Sequence, residues 1–214
     1  MTPQQRSARG GSKALAAVAD QAQGCRNCEL WEDATQTVFG EGPVSATHIL
    51  VGEQPGDVED REGRPFVGPA GKLLERAMAD AGIDRDNAYV TNAVKHFRFR
   101  TSGPRKRRIH EKPDLSHMVA CLPWLQSEMS LVAAPTLVVL GATAARVLLG
   151  PSFRVSKSRG QSLEWHEVAD ERWAEIPTAV ERVVATVHPS SVLRAQDRKG
   201  AFDALVSDLT VAAN

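Results

Sequence analysis

Four short apolar runs recur along the chain, each followed by a polar or glycine-containing loop. They occupy residues 48–52, 88–94, 136–140 and 183–187. Short, near-continuous apolar runs rich in valine, isoleucine and leucine are typical of strands buried on both faces of a parallel sheet. The pattern therefore predicts four strands.

Helical periodicity fills the intervals between these runs. In the second helical segment, Leu73, Leu74, Ala77 and Met78 share one side, which is the spacing of an amphipathic helix. Similar spacing, with capping residues and glycine stops, predicts helices at about 12–24, 70–80, 115–131 and 142–149. Strands alternating with helices imply an α/β fold, a three-layer αβα sandwich around a central, mainly parallel four-stranded sheet.

The loops that follow the predicted strands hold the residues most suited to chemistry. In open parallel sheets, ligands bind outside the carboxyl ends of the strands. The loops at those ends are residues 53–57, 92–95, 141–143 and 188–191. The segment 160–182 gives no functional signal, and we expect a hairpin or a surface excursion there.

Composition indicates one intracellular domain. The 214 residues contain no Pro/Ser-rich linker, and 42% hydrophobic with 24% charged residues is ordinary for a chain with a sizeable core. No apolar run reaches the length of a signal peptide core or a membrane span. We expect a single domain over residues 1–214, a cytoplasmic location, no membrane partner and a monomer.

The charge is distributed unevenly, although the formal net charge is zero. Between Lys95 and Lys112 there are eight cations and one acid, Glu111, which leaves +7 on a short segment. This basic loop insertion, at about 98–113, has two interpretations: a solvated loop, or a patch that contacts a polyanion such as DNA.

The three cysteines indicate a metal site. Cys25 and Cys28 form a C-x2-C pair and Cys121 stands alone, which is unlike the disulfide framework of a small secreted protein. His96, directly after the second strand, is the best-placed fourth ligand. This donor set suits either structural zinc or an iron–sulfur cluster, and three unrelated core cysteines are the alternative.

Four motifs follow one another along the chain: Gly52-Glu-Gln-Pro-Gly56, Gly63-Arg-Pro-Phe-Val-Gly-Pro-Ala-Gly71, Thr91-Asn-Ala-Val-Lys95 and His188-Pro-Ser-Ser-Val-Leu-Arg194. In this order they resemble the uracil-DNA glycosylase superfamily, and the closest similarity is to its iron–sulfur branch. Two departures, His96 in place of a cysteine and the insertion containing Lys106-Arg-Arg-Ile-His110, are similar to the X-type enzymes (UdgX), which crosslink to uracil-containing DNA. The resemblance implies the uracil-DNA glycosylase fold and a [4Fe–4S] cluster held by Cys25, Cys28, His96 and Cys121.

The resemblance also implies a pocket for a flipped uracil. The base is out of reach in a duplex, so the nucleotide has to leave the stack or be bound as a single strand. Phe66 would stack on the base, and the Asn92 amide would accept from N3–H and donate to O4. Gly52 and Gln54 would line the pocket, and His188 would donate to O2 as that oxygen gains charge.

His110 is the expected nucleophile. Gln54 occupies the position where water-using relatives carry an aspartate, and an amide cannot take a proton from water. A neutral imidazole has a free lone pair near neutral pH, so His110 would bond deoxyribose C1′ while Glu53 orients it and accepts a proton. The resulting alkyl imidazole is a poor leaving group, so the protein would stay attached to the DNA.

Further residues are expected to hold the DNA. Cations at Arg105, Lys106, Arg107 and Arg108 would contact phosphates, and Ser190, Leu193 and Arg194 would enter or flank a groove. Two alternatives are an iron–sulfur uracil-DNA glycosylase with ordinary turnover and a single-strand-binding module without chemistry. Aromatic residues, at 5% of the chain, are few for such a module.

Overall fold

The computed structural model of the protein describes residues 3–104 and 107–214, with side chains from Gly10 onward. Within these residues a five-stranded sheet lies between two layers of helices. None of the described helices is long and apolar enough to span a bilayer.

The central sheet contains the four predicted strands as parallel neighbours. In chain order these are β1 (His48–Gly52), β2 (Ala88–Asn92), β5 (Thr136–Leu140) and β7 (Arg182–Thr186). The intervening strands are β3 (Phe99–Ser102), β4 (Arg107–His110) and β6 (Ser162–Glu164). The spatial order is β2-β1-β5-β7, and the register pairs Gly52 with Asn92 and Leu140 with Thr186. All four carboxyl ends therefore meet at one edge, as the apolar runs predict.

A fifth strand extends the sheet beyond the prediction. Strand β6 (Ser162–Glu164) pairs antiparallel with β7 at the edge. It lies in the segment 160–182, where a hairpin or a surface excursion is expected. Strand β6 is only three residues long, and only its central residue is partly buried. It therefore has too little apolar pattern to be recognised in the sequence.

Ten α-helices lie in the described residues. They are α1 (Pro3–Gln23), α2 (Leu30–Asp33), α3 (Asp57–Glu62), α4 (Pro69–Asp80), α5 (Leu115–Leu131), α6 (Ala142–Leu148), α7 (Val155–Ser158), α8 (Trp165–Val168), α9 (Pro189–Arg194) and α10 (Arg198–Ala213). The four predicted helices correspond to α1, α4, α5 and α6. Helix α1 begins before the predicted start at Ser12.

The core has two parts, one on each face of the sheet. Ile49 and Val51 face the cluster that contains Leu125 and Met129 of α5, whereas Leu50 faces the cluster built from α4 and α10. Successive side chains of a strand point to opposite faces, so a continuous apolar run supplies both clusters. The three-layer αβα architecture is confirmed.

The basic insertion folds as a β-hairpin rather than as the irregular loop that its composition suggests. Strand β3 (Phe99–Ser102) pairs antiparallel with β4 (Arg107–His110), and Phe99 lies opposite His110. At its base the Phe97 and Phe99 rings stack with centroids 5.0 Å apart. The hairpin places His110 beside the carboxyl ends of β1 and β2.

Candidate active site

A cavity of about 580 Å³ opens at the carboxyl ends of β1 and β2, beneath the hairpin. Six of the residues expected to act on the base or the sugar line it: Glu53, Gln54, Phe66, Asn92, His110 and His188. The loops after three strands and the hairpin thus converge, as expected for an open parallel sheet.

Phe66 forms one wall of this cavity in a strained backbone conformation. Its φ angle is 57°, in the left-handed region that bulky residues rarely adopt. Gly71 stabilises that conformation by close packing, because a Cβ at residue 71 would overlap the Phe66 carbonyl. The GPAG segment is therefore a support for the aromatic wall.

Asn92 lies opposite, at the end of β2, with 3% of its surface exposed. Among the described residues its side-chain amide has no hydrogen-bond partner, so it is free to bind a base. Gly52 makes room for it, because a Cβ there would lie 2.5 Å from Asn92 Oδ1 and 2.6 Å from Phe66 Cζ. Glycine at residue 52 therefore preserves the shape of the pocket between Asn92 and Phe66.

His188 is held in one tautomer by the start of α9. Its Nδ1 accepts a hydrogen bond from the Ser190 backbone N–H at 3.2 Å, and the Ser190 hydroxyl lies 2.9 Å from the same atom. Burial, assisted by the neighbouring His110 and Arg194, lowers the pKa of His188 to about 4. The ring is neutral at pH 7, and its proton is on Nε2, which is available to donate.

Glu53 and His110 form a pair across the mouth of the cavity. Glu53 Oε1 lies 3.4 Å from His110 Nε2, and the Thr143 hydroxyl donates to the other carboxylate oxygen. Partial burial lowers the pKa of His110, against the opposing effect of Glu53, and Arg194 lowers it further. His110 is therefore a neutral imidazole at pH 7, oriented by a carboxylate that is itself fixed.

Gln54 uses its amide to close the base of the hairpin. Its Nε2 donates to the carbonyls of Arg98, at 3.1 Å, and Glu111, at 2.9 Å, while its Oε1 accepts from the Arg98 N–H at 3.0 Å. Gln54 therefore lines the cavity with its amide already occupied by three hydrogen bonds to backbone. An amide can satisfy both strands because it carries donors and acceptors, which a carboxylate does not.

Arg108 also differs from its expected role as a phosphate contact. Its guanidinium, 14% exposed, pairs with Asp57 and lies 2.6 Å from Oδ2 of the fully buried Asp60. It also lies over the rings of Phe97 and Phe99. The two acids on α3 turn this cation inward, so it ties the hairpin to the body of the protein.

The remaining residues expected to bind DNA lie at different distances from the cavity. Ser190 and Arg194 line it, whereas Leu193 is half-buried on α9 and is not part of its lining. Arg107 is exposed on the hairpin. Arg105 and Lys106 lie outside the described residues.

A buried ion pair supports Asn92 from below. Lys95 and Glu128 are fully buried, with Nζ 2.5 Å from Oε2. Lys95 Nζ also donates to the Asn92 backbone carbonyl at 2.8 Å, and Glu128 accepts from the Tyr89 hydroxyl and the Gly40 N–H. The end of β2 that carries Asn92 is therefore attached to helix α5.

The predicted metal ligands gather on the opposite side of this loop. Cys25 and Cys121 are buried, and Cys28 is half-buried. The neighbouring Cys121 thiol lowers the pKa of Cys28 to about 6, whereas Cys28 and burial raise the pKa of Cys121. The Lys95 N–H points at Cys121 Sγ at 3.5 Å, as amides often do toward cluster sulfurs.

His96 has the electronic state of a metal ligand. The Thr37 hydroxyl donates its only proton to the Ala22 carbonyl at 2.8 Å, so its 3.0 Å contact with His96 Nε2 requires Nε2 to carry a proton. Burial lowers the pKa of His96, so the ring is neutral and Nδ1 has a lone pair. Nδ1 is buried and finds no hydrogen-bond partner in the part of the chain that the structure describes. Ligating histidines typically donate their second nitrogen in this way.

These four residues do not form a site for a single metal ion in the described part of the chain. Within residues 3–104 and 107–214, no three His, Cys, Asp or Glu side chains converge closely enough to bind one metal ion. In an iron–sulfur cluster each ligand binds a different iron, so the donors need not meet at one point.

Besides Lys95 and Glu128, two further supporting residues lie outside the sequence prediction. Thr143 fixes Glu53, and its only sequence signal is its place in the loop after β5. Glu59, on α3, accepts from the N–H groups of Gly56, at 3.1 Å, and Gly68, at 2.8 Å, which joins the two loops beside the cavity. An acid in a short helix carries no sequence signal for this role.

Comparison with known proteins agrees with this geometry. A family model described as the uracil DNA glycosylase superfamily matches residues 39–210. A type-4 uracil-DNA glycosylase of Thermotoga maritima is 32% identical over 178 residues, covering 83% of this chain and 82% of that protein. One from Sulfurisphaera tokodaii is 35% identical over 156 residues, covering 71% and 67%. The chain belongs to the uracil DNA glycosylase superfamily.

Proposed function

We propose that this protein excises uracil from DNA and remains covalently bound to the DNA through His110. The single observation that carries the covalent part is the Glu53–His110 pair in the same cavity as Phe66, Asn92 and His188. The excision itself is supported by membership of the superfamily and by the names of the type-4 relatives.

Recognition of the base rests on two fixed polar groups. The Asn92 amide accepts from uracil N3–H and donates to O4, whereas cytosine presents the opposite pattern and leaves the amide unpaired. His188, neutral with Nε2–H available, donates to O2, where negative charge develops as the glycosidic bond breaks. A neutral donor is sufficient, because this step requires hydrogen bonding and no proton transfer.

The covalent step exchanges one bond to C1′ for another. The bond from C1′ to uracil N1 breaks and its electron pair leaves with uracil, while one nitrogen of neutral His110 bonds the developing cation. The alkylated imidazolium then loses its remaining N–H proton to Glu53, which leaves a neutral alkyl imidazole. The uracil anion takes a proton from solvent. A neutral imidazole attached to C1′ is a poor leaving group, so the adduct persists.

We also propose that Cys25, Cys28, His96 and Cys121 hold a [4Fe–4S] cluster. The unpaired Nδ1 of His96 and the polarised Cys28–Cys121 pair support this ligand set. When bound, the cluster would act as a structural cross-link among the end of α1, the loop after β2 and helix α5. Its ligand His96 lies four residues from Asn92, which connects this cross-link to the pocket.

The test uses single-stranded DNA with one uracil, denatured after incubation and analysed by gel shift and by mass spectrometry. The expected result is a heat-stable adduct mapped to His110. His110→Gly removes the nucleophile and leaves space for water, so adduct formation is lost and release of uracil with turnover is expected. His166→Gly, at an exposed histidine, is the matched control and keeps the adduct.

A second candidate, an enzyme with ordinary turnover, is supported by the type-4 names of the relatives. Free uracil and an abasic strand without adduct would favour it. Crosslinking retained in His110→Gly would contradict the nucleophile assignment.

A further inference from the structure

A second cavity, of about 920 Å³, adjoins the candidate active site. It lies between the loop after β5, the segment 151–159 and the foot of the hairpin. The two cavities share Lys112 and His188 in their linings. A chain that leaves the active site beside these two residues therefore enters the second cavity directly.

The second cavity is strongly cationic. Lys112, Arg146 and Arg154 line it, are exposed, and have no acidic partner among the described residues. A fourth cation, Arg159, is paired with Asp208 at 2.7 Å. No aspartate or glutamate in the described part of the chain lines the cavity. We call the surface formed by Lys112, Arg146 and Arg154 the cationic groove.

Another cavity beside the active site has different electrostatics. A third cavity, of about 570 Å³, shares Phe66 with the active site. It is lined by the acids Glu41, Glu62, Glu75 and Asp86 and by the cations Arg64, Lys72 and Arg85. Arg64 is already paired with Glu41 at 2.7 Å, so the local field does not favour a phosphate chain.

We propose that the cationic groove binds the backbone of single-stranded DNA on one side of the flipped nucleotide. This inference rests on the proposed function, because it takes uracil-containing DNA as the ligand of the first cavity. Phe153 and Val155 lie among the cations and offer apolar surface to unpaired bases. Cations combined with aromatic or apolar surface are characteristic of single-strand channels.

The test measures how salt weakens binding of a fluorescent single strand that carries 2′-fluoro-2′-deoxyuridine. Fluorine destabilises the cation at C1′, so binding is observed without cleavage. Arg146→Gln/Arg154→Gln removes two proposed phosphate contacts. Lys13→Gln/Lys199→Gln removes two exposed cations that line none of these three cavities and is the charge-matched control.

The binding constant K falls as salt rises, and each phosphate contact contributes about −0.7 to the slope of log K against log salt for a single strand. The groove variant lacks two contacts, so its slope is expected to be less steep than that of the wild type by about 1.4. Between 50 and 200 mM salt the wild-type affinity then falls about sevenfold more than that of the variant. The control keeps the wild-type slope within experimental error.

Truncating the oligonucleotide from either side of the uridine locates the contact. The wild type is expected to lose affinity mainly on one side, and the groove variant to be insensitive to that truncation. A groove variant with the wild-type slope, or a control with an equal loss, would overturn the inference. Wild-type adduct formation is scored separately on the same sequence with ordinary 2′-deoxyuridine, so failure of the proposed function is distinguishable from failure of the groove.

Discussion

Removing the positive charge of Lys95 is the sharpest test of how the pocket is built. Lys95 and Glu128 are both fully buried, and Lys95 Nζ donates to Glu128, to the Thr91 hydroxyl and to the Asn92 carbonyl. Lys95→Met keeps the length of the side chain but removes all three hydrogen bonds. It leaves the Glu128 carboxylate in the core without a cation.

The expected loss of stability follows from that burial. Removing one partner of a buried ion pair typically costs about 3–5 kcal/mol, because the remaining charge is uncompensated. For a protein of this size, 1 kcal/mol lowers Tm by about 2–4 °C, so Lys95→Met is expected to lower Tm by about 6–20 °C. Adding Glu128→Gln removes the stranded charge and keeps an acceptor for Gly40, so the double variant is expected to recover at least half of this loss.

The assay is thermal and urea unfolding of both variants, with excision of uracil and cytosine measured on the folded proteins. Lys199→Met is the control, because Lys199 forms an exposed pair with Asp203, and it is expected to leave Tm unchanged. Both Lys95 variants are expected to discriminate uracil from cytosine less well, since the Asn92 carbonyl loses its anchor. A Lys95→Met protein as stable as wild type, or no recovery in the double variant, would refute this reasoning.

Four further predictions concern the site. Arg108→Met should slow adduct formation by about tenfold or more, which corresponds to the loss of one charged hydrogen bond at about 1.5–3 kcal/mol. Arg107→Met, at an exposed residue, is the control and should form the adduct at nearly the wild-type rate. Rapid-quench gels compare the two rates. The rate of adduct formation should be independent of pH above 7 and fall only below pH 6.5, the ordinary pKa of histidine. The reason is that burial lowers the pKa of His110, and protonation removes the lone pair that attacks C1′. A pH–rate profile, measured where the protein is stable, checks this. Gly52→Ala should reduce excision by about a hundredfold with the fold intact by circular dichroism, since its Cβ displaces the pocket walls. His96→Ala should lower iron content and the absorbance of the cluster without changing the cysteines, as iron analysis and visible spectra would report.

The order of the elements was predictable because the apolar pattern repeats locally. The central residues of runs such as 48–52 and 136–140 are buried on both faces, so they are apolar and are recognisable without tertiary information. The parallel arrangement then placed Glu53, Asn92 and His188 at one edge. Short elements were less predictable: the three-residue strand β6 depends on pairing with β7 for its existence.

The fold class, the loops around the candidate site and the residues whose types suit uracil and a cluster could be recognised in the chain alone. Which polar groups are already occupied became apparent only in the folded protein. Gln54 and Arg108 look like substrate contacts in the chain, yet their hydrogen bonds go to the Arg98 and Glu111 backbone and to Asp57 and Asp60. The physical reason is that a donor or an acceptor binds whichever partner folding brings within about 3 Å, and that partner lies tens of residues away in sequence.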